Sequence, residues 1–280
     1  MLNNLKLRPE ERAALNLRSL YEAQGYHFYR MSRFEEYDFY ADKKDFLTSK
    51  SILTFTDING KLMALRPDVT LSIVKHIKNS DGVQKFYYDE KVYRVPKNAD
   101  SFREISQAGV ECVGVLSNEN IREVLELALK SLETIADGRN FVLDIANAST
   151  IAQLLENNEI KSEKSEILKC IAAKNIHGLK AINAPEKLIN LLESNEIDDN
   201  TEKIINSIQN YRDKIKIDYS AVSNLNYYNG LVFRGFIEGV PESILSGGQY
   251  DGLMKLMGKK NLRAIGFAVY LDLIRGEKND

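Results

Sequence analysis

The run KFYYDEKVYRV (85–95), with KNADSFRE (97–104) and ISQAGVECVGV (105–115) after it, decides the fold. Two stretches rich in Tyr, Phe, Val and Ile flank a short polar segment. That reads as strand, loop, strand, and a connection this short pairs the strands antiparallel. On the second strand Gln107, Gly109 and Glu111 recur with period two and so share one face. Arg94 precedes the loop and Arg103 ends it. A strand face carrying Gln and Glu, with arginines nearby, suits a zwitterion: carboxylate for the amine, guanidinium for a carboxylate or phosphate. The same residues also suit a solvated sheet face with surface ion pairs, and chemistry alone leaves both readings open.

Upstream, residues 9–24 read as an amphipathic helix opened by Pro9 and ended by Gly25, with Leu15, Leu17, Leu20 and Tyr21 at near-helical spacing. Residues 51–66 (SILTFTDINGKLMALR) read as a hairpin around Asn59-Gly60, a type I′ turn signal. Pro67 is expected to start a second helix, DVTLSIVKHIKN. Within LRPDVT (65–70), Arg66 and Asp68 could form a polar anchor, although a cap for that helix is the simpler reading. Downstream, Ser117 is placed to cap a long helix whose stripe is Ile121, Val124, Leu125, Ala128, Leu132 and Ile135, closed by Gly138. FVLDIA (141–146) reads as a buried strand.

Between about 148 and 213 the composition turns to short helices rich in Ile, Leu, Lys, Asn and Glu, Pro185 opening one of them. This is expected to be a helical insertion serving packing rather than chemistry. The strand pattern returns at 214–220, 226–238 and 264–269, and a short helix is expected at 269–276. An antiparallel sheet interrupted by helices, without regular βαβ alternation, is an α+β pattern and argues against a Rossmann fold. The expected organisation is a single domain over 1–280 with the insertion at about 148–213.

Composition narrows the function classes. Hydrophobic content is 44% and charged content 28%, the balance of a soluble globular protein. A net charge of -2 and a pI near 6.1 give no basic footprint for a nucleic-acid backbone. The N-terminal region is charged, with no apolar h-region, and no apolar run approaches the roughly 20 residues of a membrane span. A cytoplasmic protein with no nucleic-acid or membrane partner is expected. Cys112 and Cys170 lack metal-ligand spacing, the three histidines show no paired motif, and no metal or cofactor is expected.

Two further segments are dense in polar residues and glycine: YYNGLVF (227–233) and SGGQYDGL (246–253). Together with LRPDVT, the strand-loop-strand and AIGFAVYLDLI (264–274), they stand in the order found in histidyl-tRNA synthetases. The strand-loop-strand resembles class II motif 2, AIGFAVYLDLI the motif 3 region, and the other two the histidine-specific motifs. The resemblance covers most of 9–147 and 214–275. It implies a class II aminoacyl-tRNA synthetase-like catalytic core, an antiparallel sheet flanked by helices. It also implies roles for single residues. Arg94 would contact the amino acid carboxylate and the ATP α-phosphate, and Gln107 and Glu111 would hold the histidine amine. Asp68, where glutamate is usual, and Thr70 would help bind that amine. Tyr227, Tyr228 and Tyr250 would line the imidazole pocket.

Departures from the synthetase pattern point to a different activity. Ser223 stands where synthetases have the arginine of an Arg-Gly-Leu-Asp-Tyr-Tyr stretch, and Leu273 where motif 3 has the arginine that clamps the ATP γ-phosphate. Tyr270 replaces a glycine, Gln249 replaces the arginine of a Gly-Gly-Arg-Tyr stretch, and Arg234 follows Phe233 where an acidic residue is usual. Each lost phosphate contact is worth on the order of 10²-fold or more in rate. An anticodon-binding domain, about 90–100 residues in the family, is not expected after residue 280.

This combination resembles the regulatory-subunit family of ATP phosphoribosyltransferase. The resemblance implies a non-catalytic subunit that joins a short-form catalytic subunit, as a hetero-octamer, for the first step of histidine biosynthesis. L-Histidine would be the feedback effector, and a homodimer core would form through the motif 1 region near 26–40. The 148–213 insertion is one candidate partner surface. The alternative is a stand-alone synthetase paralog that activates an amino acid with ATP and transfers it to a non-tRNA acceptor, with Arg94 and Arg103 engaging ATP.

Overall fold

The computed structural model describes residues 6–47, 51–78, 82–96, 100–157, 164–222, 225 and 227–275. Ser223, the residue at the synthetase arginine position, lies outside them. In chain order the first elements are α1 (Pro9–Ala23), β1 (His27–Phe28), β2 (Phe34–Glu36), α2 (Tyr37–Ala41), β3 (Thr54–Thr56), β4 (Leu62–Leu65) and α3 (Val69–His76). Next come β5 (Gln84–Arg94), β6 (Arg103–Gly114), α4 (Asn118–Ala136) and β7 (Phe141–Asn147). Five helices follow: α5 (Ala148–Asn157), α6 (Lys164–Ala172), α7 (Ile176–Ala181), α8 (Glu186–Ser194) and α9 (Asp199–Asn206). The last elements are β8 (Ile215–Ile217), β9 (Leu231–Ile237), β10 (Leu245–Gln249), α10 (Asp251–Leu256) and β11 (Arg263–Tyr270).

Eight strands form one sheet in the order β1-β5-β6-β11-β10-β9-β7-β8, and β2-β4-β3 form a small second sheet. The centre of the large sheet is antiparallel as expected, but β1 and β8 join its two edges in parallel. Period-two alternation divides that sheet's faces. Val110 and Cys112 of β6 and Ile265, Phe267 and Val269 of β11 pack against α1 and α4. Gln107, Gly109 and Glu111 face the other way, opposite Tyr270, Ala268 and Gly266 in register. The α4 stripe is buried as its spacing predicts. Helices α5–α8 close a separate core around Ile151, Ile167, Leu179 and Leu188, whereas Ile204 and Ile205 of α9 join the main core.

Several sequence expectations change in detail. α1 buries Ala13, Leu17 and Tyr21, whereas Leu15 is 40% exposed, because the helix lies on the sheet by a narrow face. The second helix starts at Val69 rather than at Pro67, since the Asp68 carboxylate accepts from the Leu71 N–H at 2.8 Å and caps it. The hairpin turn is not type I′. Only Gly60 has positive φ (81°), and the Asp57 carboxylate accepts from the N–H groups of Asn59 and Lys61, which folds a wider turn. The strand expected at 214–220 shortens to Ile215–Ile217, because the Asp218 carboxylate accepts from the Ser220 N–H and opens a 3₁₀ turn. The strand expected from 226 begins at Leu231. The final short helix is a 3₁₀ turn, Leu271–Arg275.

Candidate functional site

One cavity of ≈360 Å³ opens on the inner face of the large sheet, between β6, β9, β10 and β11 on one side and the start of α3 on the other. All eight residues singled out from the sequence line it: Asp68, Thr70, Arg94, Gln107, Glu111, Tyr227, Tyr228 and Tyr250. They come from parts of the chain up to 182 residues apart, from Asp68 to Tyr250 (250 - 68). Strand order and the Asp68 cap bring them together. Arg103 stands opposite Arg94 at the end of the β5–β6 ladder but is exposed and does not line the cavity.

Glu111 is the centre of the polar end, with only 1% of its surface accessible. Thr70 donates to Oε1 at 2.6 Å and Tyr250 donates to Oε2 at 2.5 Å. Both bonds suit a carboxylate and hold its pKa down, but burial outweighs them, and with the Asp68 charge nearby the carboxyl is pushed up to about 8. Burial likewise raises the Asp68 carboxyl, against the Leu71 N–H and the Arg94 guanidinium. The two acids therefore wait in a poorly hydrated site for a positive charge. The sign for Glu111 follows from linkage. Between about 4.5 and about 8 the folded protein binds a proton that the unfolded chain releases, so this group's contribution to stability is lost as pH rises through that window. A cationic ligand group beside Glu111 reverses the balance, and its uptake displaces the proton.

The aromatic wall is built from Tyr227, Tyr228 and Tyr250. The rings of Tyr227 and Tyr228 meet edge to face at 4.7 Å, and those of Tyr227 and Tyr250 lie 6.1 Å apart. Burial keeps all three phenols protonated at neutral pH, pushing each well above its ordinary value. Flat aromatic faces and hydroxyl groups next to two acids fit a small planar cation such as an imidazole ring with an amine.

The opposite end does not resemble a nucleotide site. Tyr270 reaches into the cavity, and its hydroxyl lies 2.7 Å from Ser246 Oγ. Its register partner on β6 is Gln107. Asp272 accepts from the Ser106 N–H at 2.8 Å, tying the turn after β11 to β6, and Leu273 packs on the main core. Gln249 accepts from the Leu231 N–H at 2.8 Å and is buried, so it serves the β9–β10 junction. Residues that the sequence reading did not place in the site include Tyr88, Ser243 and Ser246. Tyr88 had a usable signal, since its β5 position faces Gly109 in the hairpin register. The two serines become visible only once β10 is set between β9 and β11.

Comparison with known proteins follows the same line. The family model described as histidyl-tRNA synthetase matches residues 5–195 and 188–274. An ATP phosphoribosyltransferase regulatory subunit of Caldanaerobacter subterraneus subsp. tengcongensis is 29% identical, across 80% of this chain and 67% of its own length. One of Acetivibrio thermocellus is 27% identical, across 92% of this chain and 70% of its own. Two solved structures share the fold. An ATP phosphoribosyltransferase regulatory subunit/histidyl-tRNA synthetase from Bacillus halodurans superposes with a TM-score of 0.80 at 21% identity, covering 95% of this chain and 78% of its own. A chain of the ATP phosphoribosyl transferase complex from Thermotoga maritima superposes with a TM-score of 0.71 at 17% identity, covering 92% and 96%.

Proposed function

The chain belongs to the histidyl-tRNA synthetase family, and from that premise we propose that it is the regulatory subunit of an ATP phosphoribosyltransferase, binding histidine as a signal. The observation that carries this reading is the contrast between the two ends of one cavity. The amine and imidazole end keeps Glu111 with its two donors, while the nucleotide end holds Tyr270 against Ser246. A synthetase needs both ends. A sensor needs only the first, together with a difference in histidine affinity between two states of its complex. The named relatives, which are regulatory subunits, support the same assignment.

In this reading catalysis resides in a short-form phosphoribosyltransferase partner, joined in a hetero-octamer built on homodimers of this chain, and the setting is the cytoplasm. The homodimer has a candidate face. Phe34, within the 26–40 region, and Phe55 meet edge to face at 5.6 Å on the small sheet and remain 49% and 37% exposed. Adjacent exposed aromatic rings are a common mark of a protein–protein contact. Among the described residues no helix is long and apolar enough to cross a membrane.

The test pairs two measurements on the full chain. Analytical ultracentrifugation with a short-form catalytic subunit is expected to show a heteromeric complex, and histidine-dependent ATP–pyrophosphate exchange by this chain is expected to stay at background. Robust exchange with no complex would instead establish the stand-alone synthetase paralog.

A further inference from the structure

The cavity has a cationic corner that the histidine-binding residues named above do not use. Arg234 on β9, Ser243 between β9 and β10, Ser246 on β10 and Tyr270 on β11 line it. Arg234 stands opposite Ser246, and Ser246 opposite Ala268, so they rise from one row across the sheet. That row continues through Gly109 to Tyr88, on the face that carries Glu111. The half-buried Arg234 guanidinium has no carboxylate within ion-pair distance among the described residues.

Its surroundings leave that charge unmatched. Asp144 on β7 is its register partner, and Lys216 on β8 is in turn the partner of Asp144. Lys174 pairs with Asp218, and Asp144 feels Lys174, Lys216 and Arg234 together. The group thus sets three cations (Arg234, Lys174, Lys216) against two carboxylates (Asp144, Asp218). Lys174 and Lys216 are exposed and well hydrated, whereas Arg234 is the one that lines the cavity. A planar guanidinium short of hydration, beside two hydroxyl groups, binds a carboxylate in fork geometry. The cavity therefore carries Asp68 and Glu111, with Arg94 beside Asp68, and Arg234 on β9 as a second cation.

We infer that Arg234, assisted by the Ser246 and Tyr270 hydroxyls, binds the carboxylate of the amino acid whose amine and ring lie at the Glu111 end. The inference rests on the histidine-binding reading and adds a second cationic contact for the ligand's carboxylate, beside the Arg94 that the family resemblance implies. The positive charge at 234, where an acidic residue is usual in the resembling family, selects amino acids over the corresponding amines.

Calorimetric titration of the full chain with L-histidine and with histamine, which lacks the carboxylate, tests this. The unmodified chain is expected to bind histidine about 10- to 100-fold more tightly than histamine. Arg234→Met is expected to cut that preference several-fold, Arg94 retaining the remainder, while leaving histamine affinity unchanged. Arg234→Lys, which keeps the charge and loses the fork, is expected to retain part of it, and it serves as the reporter should the methionine variant not fold. A full histidine preference in both variants overturns the Arg234 assignment and leaves the histidine-binding reading intact. Binding of neither ligand by the unmodified chain overturns both.

Discussion

Replacing Glu111 by glutamine is expected to weaken histidine binding by about 100-fold or more, the scale of removing a buried charge partner. The carboxylate is almost wholly buried, receives hydrogen bonds from Thr70 and Tyr250, and is the deepest anionic group in the cavity. Glutamine keeps the shape and one acceptor but cannot supply a negative charge to an ammonium or imidazolium group. The same substitution has a pH signature. With the Glu111 carboxyl pushed up to about 8, histidine uptake at pH 7 is expected to release a proton. Calorimetry in two buffers of different ionisation heat reads that proton directly. It should appear with the unmodified chain and vanish with Glu111→Gln. The free variant should also lose the fall in stability between about pH 4.5 and about 8 that the raised carboxyl imposes. Unchanged affinity, with the same proton release, would remove Glu111 from the site.

The second large effect concerns Gly266. A Cβ there would stand 1.8 Å from Glu111 Oε2 and 2.5 Å from the Val110 carbonyl oxygen. The first atom ends a side chain held by two hydrogen bonds, and the second is backbone of the adjoining strand. Neither can yield cheaply, so Gly266→Ala forces β6 and β11 apart at the floor of the cavity. Overpacking of this kind costs about 1–3 kcal/mol, which lowers Tm by about 2–12 °C for a domain of this size. Histidine affinity should fall together with Tm, since the displaced group is Glu111. A variant with unaltered Tm and affinity would show that the two strands are looser here than their packing indicates.

The site was more legible in the sequence than the sheet that builds it. Gln107, Gly109 and Glu111 declared a common face through period two alone, whereas Asp68 read locally as a helix cap and entered the site, with Thr70, only through the motif resemblance. Tyr227, Tyr228 and Tyr250 came from the motif resemblance, not from any local rule. What remained hidden depends on strand order. β11 inserts between β6 and β10, about 150 residues of chain separating β6 from its partner, and no local propensity encodes that choice. Tyr270 therefore read as a missing glycine, and only the β11 position shows its hydroxyl meeting Ser246. SGGQ carried no strand signal, yet it forms β10 near the middle of the sheet, where Gly247 and Gly248 let neighbouring strands and the Tyr228 ring approach closely. The parallel edge strand β1 is two residues long, too short to carry a pattern, and nothing local told that β8 joins the other edge in parallel.

ATP phosphoribosyltransferase activity of a short-form catalytic subunit, measured with and without this chain across a histidine titration, reaches the central claim most directly. A regulatory subunit requires activity that rises when the chain is added and falls again as histidine fills its cavity, with the fall shifted to about 100-fold higher histidine by Glu111→Gln. Activity indifferent to the chain at every histidine concentration would contradict the regulatory role, whatever ligand the cavity binds.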